Sequence, residues 1–150
     1  TVGALSENEY SMQLPSYLRI VRASAAYDLL VTLPFALPWG FSAVHAAMAA
    51  LAAAWSLPGT VPALDPLHML LANLLGSVVV VWSLARWWAP SVLMGRLDAV
   101  ARGLFAVWQV YAVVHGASSI VLLFTAAEVA FGVLQLQRIA RPAVEKADTP

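Results

Sequence analysis

The sequence predicts an all-α polytopic membrane protein: a four-helix transmembrane bundle with a short interfacial helix after the first span. Three observations lead there. From Leu67 to Ala85, nineteen residues run without a formal charge. At about 1.5 Å rise per residue, a helix needs roughly 20 apolar residues to cross a hydrocarbon core of about 30 Å. Two further apolar stretches of spanning length follow that run. The 150 residues are 61% apolar and 11% charged, with a mean hydropathy of +0.79, whereas soluble domains carry about a quarter charged residues.

The same composition excludes several function classes. Eight basic residues balance eight acidic ones and are scattered, so there is no polybasic patch for nucleic acid or for selective capture of anionic lipid. Nucleic acid is therefore not an expected partner. The absence of cysteine removes thiol-disulfide relays, thiolate zinc sites and iron-sulfur ligation. A chain of this length makes one compact unit with too little polar sequence for a separate catalytic domain. Histidine, carboxylate and arginine must carry any chemistry.

Residues 1–16 read as a polar N-terminal tail, with Glu7 and Glu9, and lack the basic start and small-residue cleavage site of a secretory signal. Met12 opens MQLPSYLRIVR, which reads like a natural start; the preceding residues are then a processing remnant, a cloning addition or a native extension. The bundle is expected over 17–138. Its first span, about 18–37, begins with Arg19 and Arg22, carries Asp28, and is interrupted by Pro34 and followed by Pro38. Each proline removes an amide donor and crowds the preceding turn, so the chain should bend near Pro38. The segment 40–56 contains eight alanines, which makes it a good helix former of weak hydrophobicity. It reads as an interfacial helix or a short re-entrant piece.

Three prolines and a glycine mark 57–66 as loop, and Asp65-Pro66 supplies an N-cap followed by proline at the first helical position. The second span, about 67–85, ends in Arg86-Trp87-Trp88-Ala89-Pro90, where an arginine and two indoles suit the headgroup region and proline stops the helix. A third span is expected over about 97–115. After the turn Gly116-Ala117-Ser118, a fourth runs over about 119–137, and a polar tail closes the chain over 139–150. Arg19 and Arg22 stand at the start of the first span, Arg86 and Arg96 between the second and third, and Arg138, Arg141 and Lys146 after the fourth. The other two connections hold no Lys or Arg. The positive-inside rule then places both termini in the cytoplasm, in a membrane of the bacterial inner type. Counting 40–56 as a full crossing would put the arginine-rich connection outside, so four crossings are expected rather than five.

Charged groups within a bilayer are costly, about 2.5–3.5 kcal/mol each at mid-helix on insertion scales, and therefore require partners. Asp28 and Arg102 fall at similar depth from the cytoplasmic ends of their spans, and Asp98 stands one turn before Arg102. A triad of Asp28, Asp98 and Arg102 is either an ion-pair clasp between the first and third spans or a cytoplasm-facing proton or anion site. Glu128 falls near mid-membrane, with Asn73 and Gln109 as candidate partners. An Asn, Gln and neutral Glu network would bind helices together or mark a substrate or proton path. His45, His68 and His115 share the outer side. Three imidazoles can ligate zinc or copper and two can hold haem, although no ligand spacing joins these three. Trp39 and Trp55 suit the outer boundary, and Trp82, Trp87 and Trp88 the inner one, as an aromatic belt.

The run ANLLGSVVVVWSLARWWAP, Ala72 to Pro90, has the small-residue, apolar and terminal-arginine rhythm of the second helix in the DoxX-like group of small bacterial inner-membrane proteins. The layout of one span, an in-plane segment and three more spans resembles that group from about Leu18 to Gln137. The acidic residue usual in the group's second helix is absent here, with Asn73 the polar residue nearby. The resemblance therefore implies an architecture and no site residues. Members serve varied membrane redox and accessory roles.

Short loops and the lack of a convergent catalytic motif make a non-enzymatic accessory or scaffold subunit of a membrane complex the first functional expectation. Its partners would be the lipid bilayer and other membrane subunits. Ala72 and Gly76 form one small-xxx-small pair, which serves internal packing or a homo-oligomer. A second expectation is a small-molecule, proton or lipid carrier using Asn73, Gln109, Glu128 and the Asp28/Arg102 pair. A third is an outer-face haem, metal or quinone site built from the histidines.

Overall fold

A computed structural model describes residues 11–140, and no strand occurs among them. The parts of the two expected tails at 1–10 and 141–150 lie outside the described residues. Helix α1 spans Leu14–Thr32 and continues into a 3-10 turn, Leu33–Ala36; α2 spans Pro38–Ala54, α3 Pro66–Trp88 and α4 Val92–Val114. A second 3-10 turn, Ser119–Val121, leads into α5, Leu122–Leu136. Three helical segments are long and apolar enough to cross a membrane: α3, α4, and Ser119–Leu136. The pair formed by Leu14–Ala36 and α2 passes the same criteria together and is bent by 106°, which brings the number of candidate spans to four.

The first span thus differs from a run over 18–37. Helix begins at Leu14, with proline in the first turn, and the α-helical part ends at Thr32. Thr32 Oγ1 donates to the Asp28 carbonyl at 2.6 Å, a back-bond that bends helices. Pro34 then tightens the chain to 3-10, and Leu37, immediately before Pro38, is extended at φ −124°, ψ 128°. A residue preceding proline is pushed out of the helical region, so α2 restarts at Pro38 in a new direction. The corner is fastened to α3. Asn73 Nδ2 donates to the Phe35 carbonyl at 2.7 Å, and Gly76 lies so close that a Cβ there would collide with the Phe35–Ala36 backbone. The small residue at 76 serves this internal contact.

Side-chain caps set the starts of α3 and α4. The Asp65 side chain accepts from the His68 amide at 2.9 Å, and Ser91 accepts from the Met94 amide at 3.2 Å. Each satisfies one orphan donor of a helix start. That amide hydrogen bond holds the exposed Asp65 carboxyl below the usual carboxylate range.

Both ends of the bundle are tied by short backbone pairings. At one end Met12 pairs with Ile139, with the Met12 amide on the Arg138 carbonyl at 2.8 Å and the Ala140 amide on the Met12 carbonyl at 2.9 Å. At the other, the Thr60 amide meets the Gly116 carbonyl and the Ser118 amide meets the Thr60 carbonyl, both at 2.9 Å. The chain termini of the described segment therefore share an end with the α3–α4 connection. The two longer connections share the opposite end.

Burial is inverted relative to a water-soluble domain. Among the described residues, six hydrophobic side chains are buried against eight polar or charged ones. Large apolar residues such as Leu30, Val78, Val100, Val114 and Val133 are exposed on the outside of the helices. An exterior of this kind is unfavourable in water and suits hydrocarbon, while inside the polar groups pair with one another, Arg86 Nε and Gln135 Oε1 excepted.

Candidate functional site: a charged cluster at the end of an apolar cavity

Four helices each contribute a helically spaced set of polar side chains to one interior point. Helix α1 supplies Ser24 and Asp28, four apart; α3 supplies Trp82, Ser83 and Arg86; α4 supplies Asp98 and Arg102, four apart; α5 supplies Glu128 and Gln135, seven apart. Spacings of four and seven keep side chains on one helix face, so each set faces the bundle axis together.

Arg86 is fully buried. Its Nη1 donates to Asp98 Oδ2 and to Ser24 Oγ at 2.9 Å, and its Nη2 to Asp28 Oδ2 and to Ser83 Oγ at 3.0 Å. Arg102 lies beside it. Its Nε donates to Asp98 Oδ2 at 3.0 Å, its Nη2 to Asp28 Oδ2 at 2.7 Å and Ser24 Oγ at 2.8 Å, and its Nη1 to Glu128 Oε2 at 2.7 Å. Gln135 Nε2 donates to Asp98 Oδ2 at 2.8 Å, and Trp82 Nε1 donates to Asp98 Oδ1 at 3.0 Å. Tyr17 completes the shell, its hydroxyl donating to the Gln135 carbonyl at 2.9 Å. Charge-assisted bonds of this kind are stronger than neutral ones, and only such dense pairing offsets the desolvation of five ionisable groups.

The structure thus brings Asp28, Asp98 and Arg102 together with Glu128. The polar network proposed from sequence around Glu128 is not formed. Glu128 meets Arg102; Gln109 accepts from Thr125 Oγ1 at 2.7 Å, a pair elsewhere along α4 and α5; and Asn73 holds the Phe35 carbonyl at the corner. Each found a nearer partner once the helices took their rotations. Arg86 is the central member that sequence reasoning missed. Its neighbours Trp87, Trp88 and Pro90 mark a headgroup region, yet α3 continues helically to Trp88, leaving Arg86 on the inward face. The signal was the Trp82–Arg86 spacing of four. Trp82 likewise belongs to the cluster, through its indole N–H, rather than to a purely interfacial belt.

The histidines do not converge. His45 Nε2 donates to the Pro62 carbonyl at 2.8 Å, His68 Nδ1 pairs with Asp65 Oδ2 at 2.7 Å, and His115 stacks on Tyr111 with ring centroids 3.9 Å apart. Among the described residues no group of three or more His, Cys, Asp or Glu side chains is disposed to hold a metal ion. A common end of the bundle is not a common coordination sphere.

A cavity of about 1070 Å³ extends from the cluster. Its lining on α4 recurs at Leu97, Asp98, Ala101, Arg102, Phe105, Trp108, Gln109 and Ala112, one helix face covering about 22 Å of rise. The charged end is made by Asp28, Asp98, Arg102 and Glu128; His45, His68, Thr60 and Pro62 line the region of the long connections. The wall between is apolar and aromatic, with Phe35, Phe105 and Phe124. Its volume lies at the upper end of the range of about 300–1,000 Å³ usual for small-molecule sites. Comparison with protein-family models, curated proteins and solved structures finds no match to this chain.

Proposed function

We propose that this chain is a multi-pass membrane protein that binds and carries an amphipathic small molecule, its apolar body in the cavity and its polar head against Asp28, Arg102 and Glu128. The observation that carries this reading is the cavity itself: a long apolar wall ending on a few convergent charged groups is the usual form of a ligand site. The cluster divides by position. Arg86, Ser24 and Gln135 are fully buried and clasp the four helices, whereas Arg102 and Glu128 also border the cavity. The exposed apolar faces of α3, α4 and α5 serve lipid contact and do not by themselves call for partner subunits.

In this reading the α1–α2 pair forms one crossing, with α2 turned along the far boundary. Setting aside Arg86 and Arg102, which lie inside the bundle, leaves the charge asymmetry in place. The remaining basic residues are Arg19, Arg22, Arg96, Arg138, Arg141 and Lys146, and those among them that are described lie at the Met12–Ile139 end. That supports cytoplasmic termini in a bacterial-type inner membrane.

The test is direct binding. Purified in a neutral detergent, the protein is expected to bind a fluorescent medium-chain alcohol saturably, at about one per chain. Ala101→Trp, which fills the cavity wall, should weaken that binding by about tenfold or more, because a filled site excludes the ligand. Identical binding by the wild type and a folded Ala101→Trp protein would remove the cavity reading.

A further inference from the structure

We infer that the cavity selects lipophilic monocations, molecules with an apolar body and one protonated amine, and that the ammonium donates to Glu128. This deepens the binding role proposed above and rests on it.

Charge sets the first requirement on a ligand. Three carboxylates, Asp28, Asp98 and Glu128, meet two guanidiniums, Arg86 and Arg102, which leaves one carboxylate in excess. The other titratable groups lining the cavity are His45 and His68, and they belong to the region of the long connections. An uncompensated charge inside a bundle is expensive, so the site favours whatever brings one positive charge to it.

Geometry says which carboxylate receives it. Asp98 is the most enclosed: Oδ2 accepts from Ser24, Arg86, Arg102 and Gln135, and Oδ1 accepts from Trp82. Asp28 Oδ2 is shared by both arginines. Glu128 takes a single donor, Arg102 Nη1 on Oε2, where Asp28 takes two; the Glu128 and Asp28 side chains are about equally covered, at 12% and 11% exposed, against 4% for Asp98. Its Oε1, like Asp28 Oδ1, has no hydrogen-bond donor among the described residues, and Glu128 borders the cavity. An ammonium has donors and no acceptor, which matches an open carboxylate oxygen.

An anionic head fits poorly. A guanidinium has five N–H donors, and Arg102 already directs four of them to Asp98, Glu128, Ser24 and Asp28. An arriving anion would find one remaining donor beside the surplus negative charge. Phe35, Phe105, Phe124 and Trp108 on the wall suit a hydrocarbon body, and their ring faces attract cations rather than anions.

Three probes of equal chain length separate the possibilities: decylamine, decanol and decanoate, each titrated at neutral pH against the whole protein in a maltoside detergent. Decylamine is expected to bind about tenfold or more tighter than decanol, with decanoate weakest. Glu128→Gln should erase the advantage of the amine over the alcohol. Equal binding of decylamine and decanol by the wild type would mean that a proton neutralises the cluster; it would overturn the cation inference and leave the cavity reading standing. Tightest binding by decanoate would also overturn it. Failure of all three to bind saturably would remove both. The wild-type comparison decides the matter even if the glutamine variant does not fold.

Discussion

Arg86 shows how much one side chain decides in an interior of this kind. It bridges Asp28 on α1 and Asp98 on α4 while standing on α3, and losing it leaves three carboxylates, Asp28, Asp98 and Glu128, sharing the single guanidinium of Arg102. Breaking a buried pair by removing one partner costs about 3–5 kcal/mol. Arg86→Ala should therefore lower unfolding free energy in detergent by about that amount. Arg96, a half-buried residue that makes one bond to the Gln137 carbonyl and lies 5.8 Å over the Tyr17 ring, should lose no more than about 1 kcal/mol on change to alanine. Equal losses for the two variants would mean that the cluster does not hold the helices. The Asp98–Arg102 part was legible in the sequence because both residues sit on one helix at a spacing that forces them together. Arg86 was not, because its local context signalled the headgroup boundary while its true partners came from other helices.

At the level of elements, the sharp corner between α1 and α2 shapes the cavity, since Val31, Thr32, Phe35 and Phe41 line it there. Proline spacing marked the bend, but the way the corner is fastened came from α3. A side chain at Gly76 would strike the Phe35–Ala36 backbone, whereas one at Gly103 would meet open space. Gly76→Leu should thus destabilise by about 1–3 kcal/mol through overpacking. Gly103→Leu should be neutral or stabilising by up to about 1 kcal/mol, because it replaces a poor helix former. Thermal unfolding in detergent, with both variants side by side, checks the contrast; equal effects would place the corner elsewhere than against α3.

For the whole molecule, the decisive property is the pairing of ends. The Met12–Ile139 and Thr60–Ala117 bridges join segments that an even number of crossings would return to the same side. Because the chain has no cysteine, single cysteines report cleanly. In sealed vesicles, a membrane-impermeant maleimide should label Ala63→Cys from one face and Ala89→Cys from the other, since both positions are exposed on connections at opposite ends. Labelling of both from one face would exclude the four-crossing arrangement.

Composition and the length of the uncharged runs were enough to announce helices long and apolar enough to cross a membrane, because hydrocarbon thickness imposes a minimum helix length that can be counted along a chain. Asp65-Pro66 likewise announced the start of α3, and Pro34 with Pro38 the corner, since those effects act over a few neighbouring residues; the Ser91 cap, which starts α4 at Val92 rather than near 97, went unread. Which polar groups meet inside was a matter of helix rotation and separation, quantities shared between segments far apart in the chain. Packing therefore gathered Arg86, Ser24 and Gln135 into the cluster, dispersed the histidines, and opened the cavity onto Glu128.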